Sequence, residues 1–287
     1  MRAETAKFQR FQELHRGGQL LVLPNAWDAG SARLLSTLGF PALASTSSGV
    51  AWALGVPDGQ HLGRDQMLEA IRRMVAVTPL PLTADMEAGY GLDAQYVAET
   101  VRLVIEAGAV GVNLEDGTAD RENPLASLDD QVARLRAARE AADAAGVDLY
   151  INARTDVYLR RVGNERDRLE HTLERAQAYL EAGAAGIFVP GTADLDTISE
   201  LAARIAAPLN VLLTEGTPSV SVLSDAGVRR LSTGGRLAQA ALGLLSKAAA
   251  ELASGAGYAR IFEYALPFAE LQSMYTAAVE PGVDNKR

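Results

Sequence analysis

Two carboxylates in this sequence stand two residues apart, directly after a short apolar run. Asp85 and Glu87 follow residues 80–82 and precede the glycine-rich turn Gly89-Tyr90-Gly91. Residues two apart on a strand point to the same side, so both carboxylates can face one spot. Mg²⁺ takes oxygen ligands, uses only one or two carboxylates, and leaves its other positions to water and substrate. The spacing therefore predicts a metal-assisted enzyme.

Acidic residues and an arginine also end the next two apolar runs. Glu115 and Asp116 end the first of these runs, and Arg154 and Asp156 end the second. Carboxylates gathered without a counter-charge raise one another's pKa, so a bound cation is their natural neutraliser. Mg²⁺ is favoured, with Mn²⁺ as the alternative, because no histidine stands at a predicted strand end to suit zinc. Arg154 either pairs with a neighbouring aspartate or grips a substrate carboxylate through its planar fork.

Short β-like runs alternate with longer helical patterns along the whole chain. Several helical patterns end in a glycine, which is typical of a helix C-terminus, and a new strand pattern follows within a few residues. This repeated unit predicts a parallel sheet, and eight units in 287 residues fit an α/β fold, the (β/α)8 TIM barrel. An open doubly wound sheet is the alternative, but no Gly-x-Gly-x-x-Gly follows the first strand. The predicted strands are 20–24, 42–46, 80–86, 111–115, 149–153, 186–189, 209–213 and 228–231.

Helical sequence flanks the predicted barrel at both ends. An N-terminal helix is predicted at 5–16, and extra helical sequence follows the barrel at 256–278. No Pro/Ser-rich linker or low-complexity block divides the chain, so residues 1–287 are expected to form a single domain. The C-terminal helices, at about 255–278, are expected to serve oligomerisation.

The composition limits the classes of partner. The chain has a net charge of −9, with 48% hydrophobic and 22% charged residues. This charge argues against a nucleic-acid partner, and an anionic substrate then needs a metal or a placed arginine. The lack of cysteine excludes disulfides, thiolate zinc sites and cysteine nucleophiles. No apolar run approaches the roughly 18 residues of a membrane span, and the N-terminus has no signal-peptide core, so we expect a cytoplasmic enzyme without a membrane partner.

Two small-residue segments at predicted strand ends each have two open interpretations. Residues 47–49, Ser-Ser-Gly, form either an ordinary turn or a set of N–H groups that holds an oxyanion. Residues 233–235, Thr-Gly-Gly, form either a strand-to-helix turn or a phosphate site at a helix N-terminus. The phosphate interpretation needs nearby cations, for which the sequence offers Arg229, Arg230 and Arg236.

Aromatic and titratable residues near the predicted strand ends add further candidates. Trp27 and Trp52 either line a pocket or fill the rim of the barrel. His15 and His171 fall in helical patterns and are expected at the surface. The general acid or base is left open among four residues, which are Asp58, His61, Tyr90 and Glu215.

These motifs resemble those of the isocitrate lyase / phosphoenolpyruvate mutase superfamily. The resemblance implies a Mg²⁺-dependent barrel that forms dimers or tetramers, with C-terminal helices exchanged between subunits. It implies a small anionic 2-oxo or 2-hydroxy acid as substrate, with a C–C or P–C bond cleaved or formed next to its carboxylate. The motifs appear in family order as Pro24-Asn25-Ala26-Trp27-Asp28, Ser47-Ser48-Gly49-Val50, Asp85-Met-Glu87-Ala-Gly-Tyr-Gly91, Asn113-Leu-Glu115-Asp116 and Asn152-Ala-Arg154-Thr-Asp156.

The resemblance also implies roles for individual residues. Asp85 would hold the metal, directly or through water, and Glu87 and Glu115 would complete its shell. The substrate-binding candidates are Trp27, Ser47, Ser48, Gly49, Val50, Arg154 and Asn210, and the catalytic candidates are Asp58, Tyr90 and Arg154.

The segment 117–128 separates this chain from the best-known branches of the superfamily. Classical isocitrate and methylisocitrate lyases carry a Lys-Lys/Arg-Cys-Gly-His stretch there, and this chain has no cysteine, histidine or lysine in that segment. The chain thus resembles the phosphoenolpyruvate mutase-like members that lack the cysteine motif. Phosphonate-handling members use a lysine-bearing gating loop, for which only Arg121 and Asn123 could stand in, although Asp58 matches a loop acid of that branch.

The leading hypothesis is therefore a Mg²⁺-dependent lyase or decarboxylase. It would cleave a C–C bond next to the 2-oxo or 2-hydroxy carboxylate of a small di-acid through an enolate. One alternative is the P–C bond chemistry of a phosphonopyruvate hydrolase or phosphoenolpyruvate mutase. The others are a non-catalytic 2-oxo acid binding protein and an unrelated barrel enzyme that uses residues 232–235 for a phosphorylated substrate.

Overall fold

The computed structural model describes residues 2–91 and 93–276, in which nine parallel strands form one sheet. The sheet order runs from the first strand through the ninth and back to the second, so the sheet closes into a barrel. The predicted TIM barrel is confirmed, and the closure excludes an open doubly wound sheet. The strands are β1 Leu21–Leu23, β2 Asn25–Ala26, β3 Leu43–Ser45, β4 Leu82–Asp85, β5 Gly111–Glu115, β6 Tyr150–Arg154, β7 Gly186–Val189, β8 Leu209–Leu212 and β9 Arg230–Ser232.

The first barrel strand is divided at Pro24. The segment before the proline, β1, pairs with β9, and the segment after it, β2, pairs with β3. Proline has no N–H and cannot continue a hydrogen-bond ladder, so the strand changes partner at this residue. The strand predicted at 20–24 therefore exists as two short segments that together occupy one of the eight barrel positions.

Helices cover the outside of the barrel, and several begin at a side chain that accepts an N–H of the first turn. Asp28, Asp93 and Ser127 are such caps, and they fix where the loops from β2, β4 and β5 end. The helices are α1 Arg2–Arg16, α2 Ala29–Ser36, α3 Ser47–Ala53, α4 Arg64–Ala76, α5 Ala94–Glu106, α6 Leu128–Ala144, α7 Arg168–Glu181 after a 3₁₀ turn at Glu165–Asp167, α8 Leu195–Arg204, α9 Val220–Asp225, α10 Arg236–Ala253, α11 Ala259–Glu263 and α12 Phe268–Thr276.

The predicted C-terminal helical sequence forms two separate helices, α11 and α12. Residues 277 and 278 of that prediction lie outside the described residues. The single-domain organisation stays a prediction. Within residues 2–91 and 93–276, every helix is too short or too polar to cross a lipid bilayer.

Helix α1 closes the amino end of the barrel with aromatic side chains. Phe11 packs edge-on against Tyr150, and the His15 ring stacks on the same tyrosine with 3.9 Å between ring centroids. His15 is only 2% exposed, so its predicted surface position is wrong. The helical pattern could not show this, because the face that carries His15 covers the barrel floor. Burial and the charge of Arg230 lower the pKa of His15 to about 3, so this ring is neutral.

Gly186 is required where β7 passes the barrel floor. A Cβ at this position would overlap the Tyr150 hydroxyl and lie 3.1 Å from the Pro208 carbonyl oxygen. Gly186→Ala is therefore expected to lower the free energy of unfolding by about 1–3 kcal/mol in urea titrations. The control is Gly243→Ala in α10, where a Cβ meets no atom within 4 Å. That variant should gain about 0.5–1 kcal/mol, and equal stability of both variants would contradict the close packing at Gly186.

Candidate active site

A cavity of about 330 Å³ opens at the carboxyl ends of the strands. Five of the metal, substrate and catalytic candidates line it, and they come from four segments, namely the start of α3, the loop after α3 and the ends of β4 and β6. These residues are Ser47, Ser48, Asp58, Asp85 and Arg154. Function gathers at this face in TIM barrels, so the cavity is the candidate active site.

Asp85 ends β4 with one carboxylate oxygen engaged and the other without a partner. Its Oδ2 accepts the N–H of Ser47 at 3.0 Å, and its own N–H donates to Ser45 Oγ at 2.8 Å. Asp85 is 9% exposed, and among the described residues its Oδ1 has no hydrogen-bond partner. A buried carboxylate oxygen without a donor is costly. A cation or a water at Oδ1 would satisfy it.

Glu87 lies beyond the end of β4 in an unusual backbone conformation. Its φ is +50°, so the spacing argument that placed Asp85 and Glu87 on one strand does not describe it. Glu87 Oε2 accepts the N–H of Gln60 at 2.6 Å, and Oε1 accepts the Tyr90 hydroxyl at 3.0 Å. Both partners also have positive φ, and in the described part of the chain only one further non-glycine residue does. Strain of this kind persists where the surroundings hold it and is frequent at functional sites.

Mutual repulsion and burial shift the titration of the acids around the cavity. Burial, followed by the charges of Asp85 and Asp58, raises the pKa of Glu87 to about 7. Asp58 lies on an exposed loop but turns toward the cavity, and partial burial and the charge of Asp85 raise its pKa. Burial also raises the pKa of Glu115, against the opposing charge of Arg154. Excess negative charge of this kind favours a cation.

Arg154 lines the cavity with its guanidinium already engaged. Its Nε and Nη2 donate to the two carboxylate oxygens of Asp156 at 2.6 and 3.1 Å. Its Nη1 lies 2.7 Å from Glu115 Oε2. The guanidinium of Arg154 thus pairs with Asp156, which is one of the two alternatives that the sequence left open. Its positive charge remains at the cavity wall.

The three predicted metal ligands do not form a preformed coordination site. Among the described residues, no three histidine, cysteine or carboxylate side chains are placed to hold an ion together. Glu87 is engaged by Gln60 and Tyr90, and Glu115 is engaged by Arg154. Asp85 Oδ1 therefore fits direct contact with a hard cation, and the other two carboxylates fit contact through water, which is how Mg²⁺ is commonly held.

The structure places the other predicted binding residues away from the cavity lining. Trp27 and Val50 border a different cavity on the outer side of the rim. Gly49 is a packing position, since a Cβ there would lie 2.7 Å from Thr46 Cγ2 and 2.8 Å from Trp27 Cβ. Asn210 is buried inside the barrel on β8, below the rim.

Asn25 organises the loop after β9. Its Oδ1 accepts the N–H groups of Thr233 and Gly234, both at 2.9 Å. These N–H groups are therefore occupied, which disfavours a phosphate site at residues 233–235. The cavity is also lined by residues to which the sequence gave no firm role, namely Trp52, Asn113, Phe188, Ser232, Arg236 and Gln239.

The raised pKa of Glu87 predicts a pH-dependent effect of Mg²⁺. The folded protein without metal holds this proton up to about pH 7, whereas an unperturbed glutamate releases it near pH 4.5. Between these values the folded state binds more protons, so this residue makes the metal-free protein less stable as pH rises. Mg²⁺ favours the carboxylate, so one fixed Mg²⁺ concentration, equal to 100 times the Kd at about pH 8.5, should raise Tm by roughly 5–10 °C at that pH and much less at about pH 5.5. An equal gain at both pH values would contradict this prediction.

Comparison with known sequences places the chain in one enzyme family. A profile of the family described as phosphoenolpyruvate phosphomutase matches residues 11–253. The chain is 34% identical to 2-methylisocitrate lyase from Escherichia coli strain K12, over 66% of this chain and 63% of that enzyme. It is 31% identical to oxaloacetate decarboxylase from Pseudomonas entomophila, over 73% of this chain and 71% of that enzyme.

Solved structures show the same similarity. A protein from Burkholderia cenocepacia J2315, described only as a lyase or mutase, is 38% identical with a TM-score of 0.89, over 95% of this chain and 96% of its own. Phosphonopyruvate hydrolase, in a complex with oxalate and Mg²⁺, is 26% identical with a TM-score of 0.79, over 93% of this chain and 95% of its own.

Proposed function

Because the chain belongs to the phosphoenolpyruvate phosphomutase family, whose members are lyases and mutases of C–C or P–C bonds, we propose a specific activity within it. The protein is a Mg²⁺-dependent lyase or decarboxylase that cleaves a C–C bond next to the 2-oxo or 2-hydroxy carboxylate of a small di-acid. The observation that carries this proposal is Asp85 Oδ1, a buried carboxylate oxygen without a partner among the described residues, in a cavity that also holds Arg154.

Asp85 would contact the metal directly, and Glu87 and Glu115 would contact it through water. Mg²⁺ is the expected ion, with Mn²⁺ possible, because every candidate ligand is an oxygen. When bound, such an ion supplies a positive charge that stabilises negative charge on the keto oxygen of a 2-oxo acid. The phosphonopyruvate hydrolase relative has been solved with both Mg²⁺ and oxalate, a small dicarboxylate.

The chain's own residues would bind the substrate and move its proton. Arg154 would attract the substrate carboxylate while Asp156 keeps its fork in place. The Tyr90 hydroxyl donates to Glu87, and burial raises its pKa, so it stays protonated at neutral pH and would orient the Glu87 carboxylate from outside the cavity lining. Asp58 lies at the cavity, where its raised pKa suits an acid or base.

The loop after β5 favours C–C over P–C chemistry. Its ends meet through a bridge between Gly117 and Leu125, and Thr118 N–H donates to the Pro124 carbonyl oxygen at 3.0 Å. Neither Arg121 nor Asn123 lines the cavity, and Asn123 donates to Asp120 within the same loop at 3.0 Å. A doubly charged phosphonate would thus meet no cation from this loop, whereas a carboxylate needs less positive charge.

The proposal is tested by measuring product formation from a panel of 2-oxo and 2-hydroxy di-acids, beginning with oxaloacetate, with and without Mg²⁺. The expected result is C–C cleavage that stops on chelation and returns when Mg²⁺ is added. Phosphate release from phosphonopyruvate would instead support the P–C alternative. Thermal stabilisation by a 2-oxo acid without any product would support the binding-protein alternative. Metal-independent turnover would contradict the proposal.

We also propose that the C-terminal helices join two or more subunits by helix exchange. These helices expose large apolar side chains, with Phe262 71% and Phe268 76% exposed. An exposed apolar patch of this size commonly marks an interface. Light scattering on the intact chain should show a dimer or tetramer, and a monomer would contradict the proposal. The other large apolar residues exposed after α10 are Tyr258, Ile261, Tyr264, Leu266 and Tyr275, and α10 itself exposes Leu242, Leu244, Leu245 and Leu252.

A further inference from the structure

Arg230 places a charged side chain inside the barrel without a carboxylate contact. It is 1% exposed on β9, and its Nε donates to Ser232 Oγ at 3.1 Å while Nη2 donates to Asn113 Oδ1 at 3.4 Å. In residues 2–91 and 93–276, Arg230 forms no salt bridge, and its Nη1 has no hydrogen-bond partner. A buried charge without an ion-pair partner is costly to a fold. By contrast, the buried Arg175 forms an ion pair with Asp116 at 3.0 Å.

The charge of Arg230 acts on the groups above and below it. Burial lowers the pKa of Arg230 to about 10, which leaves it protonated at neutral pH. Below it, its charge contributes to the neutral state of His15. Above it, the charge of Asp85 acts on Arg230 without a direct contact. The guanidinium is therefore a fixed cation between the barrel floor and the cavity.

Arg230 also determines which end of the Asn113 amide meets the cavity. A guanidinium can only donate, so the Asn113 atom that faces it must be the carbonyl oxygen. Asn152 Nδ2 donates to the same oxygen at 2.8 Å. The Asn113 Nδ2 group is left for the cavity, which Asn113 lines.

The orientation of a second side-chain amide, that of Asn210, is fixed in the same way. Ser232 Oγ accepts from Arg230 Nε, so it passes its own hydrogen to Asn210 Oδ1 at 3.1 Å. The donor end of this amide, Asn210 Nδ2, is buried and has no partner within the described ranges. Two amides thus point their oxygens toward the Arg230 network and keep their N–H groups for other acceptors.

We propose that Arg230 is a positioning residue that makes the inner wall of the cavity a hydrogen-bond donor surface for one carboxylate or enolate oxygen of the ligand. Asn113 Nδ2 would donate to that oxygen, and the charge of Arg230 behind it would strengthen the bond. This inference rests on the proposed function, since it concerns the same cavity and the same small anionic ligand. Arg230 would thus make the cavity prefer an anionic ligand, although Arg230 is not among the residues predicted to contact the substrate.

The test is calorimetric titration of oxalate into the full-length protein with saturating Mg²⁺. Arg230→Met is expected to weaken oxalate binding about tenfold or more, because a charge-assisted donor surface is lost. The same variant should have an unchanged or higher Tm, because an unpaired buried charge is replaced by an apolar side chain of similar length. A merely structural role would lower both the Tm and the affinity together.

A second variant keeps the proposal testable if the first one fails to fold. Asn113→Asp replaces the donor N–H₂ by an oxygen while preserving an acceptor for Arg230, so it should fold and bind oxalate at least about tenfold more weakly. The matched control is Arg139→Met in α6, which removes an arginine that bonds the Gly183 and Leu149 carbonyls outside the barrel. It should lower Tm and leave oxalate affinity unchanged.

The outcomes separate this inference from the proposed function. Tight binding of oxalate by the unmodified protein and equally tight binding by Arg230→Met or Asn113→Asp would overturn the inference and leave the proposed function standing. Failure of the unmodified protein to bind oxalate with Mg²⁺ would contradict the proposed function, and the inference with it.

Discussion

Asp85→Asn is expected to lower turnover at least about 100- to 1000-fold, which is the typical effect of removing one preorganised electrostatic contact. The amide keeps an oxygen that can accept the Ser47 N–H, so the local fold should survive. It removes the negative charge next to the cavity and the buried oxygen that suits a cation. Steady-state kinetics with the best substrate of the panel, at several Mg²⁺ concentrations, measures this effect.

The control for this substitution is Asp93→Asn, the same chemical change at the N-cap of α5. Asp93 Oδ1 accepts the Tyr96 N–H at 2.7 Å, and asparagine caps a helix as well as aspartate does. This control should keep its activity and its stabilisation by Mg²⁺. If Asp85→Asn also kept both, Asp85 would not be the metal contact and the proposed function would lose its main support.

Asp116→Asn is expected to lower the free energy of unfolding by about 3–5 kcal/mol. Asp116 is fully buried and accepts from the Asp156 N–H at 2.9 Å, Arg175 Nη1 at 3.0 Å and the Tyr179 hydroxyl at 2.7 Å. The substitution would leave Arg175 charged, buried and without its carboxylate. Urea unfolding monitored by far-UV circular dichroism gives the loss.

Two further variants show whether the loss comes from the unpaired charge. Adding Arg175→Met to Asp116→Asn removes the charge and should recover part of the stability. Asp129→Asn, on the exposed first turn of α6, should change stability by no more than about 0.5 kcal/mol. A loss below about 1 kcal/mol for Asp116→Asn would show that the buried ion pair contributes little.

The barrel and its functional end could be predicted because they follow from local rules. Helix-ending glycines and short apolar runs reveal the repeated unit, and a closed parallel barrel brings all strand ends to one face. That is why Asp85, Asp58 and Arg154, which are far apart in the sequence, line one cavity. The break at Pro24 was also implicit in the sequence, since proline cannot continue a ladder.

The direction of each rim residue could not be predicted, because it depends on loop geometry. Trp27 and Val50 follow strand ends yet face an outer cavity, and Glu87 leaves the strand through a positive φ. No local sequence rule specifies a left-handed conformation at a glutamate, and here contacts with Gln60 and Tyr90 hold it. The pairing of Arg154 with Asp156 likewise depends on side-chain rotamers.

Arg230 was singled out from the sequence only as a possible phosphate ligand beside Arg229. Its position in the middle of the barrel had a usable signal, which is the period of two on β9. Ser232 lines the cavity, so Arg230, two residues earlier, points into the barrel as well. The period could not show that the acceptor of the Arg230 guanidinium is the Asn113 carbonyl oxygen rather than a carboxylate.

The division of the first strand at Pro24 has a consequence for how the cylinder opens. Only two residue pairs join β2 to β3, so much of the closure at the rim depends on one carboxamide, that of Asn25. Its Oδ1 receives the amide protons of Thr233 and Gly234, and its Nδ2 donates to the Ser45 carbonyl at 2.6 Å. Hydrogen–deuterium exchange at Thr233 and Gly234 would therefore report local opening of the barrel between the first strand and β9 directly, with no substrate present.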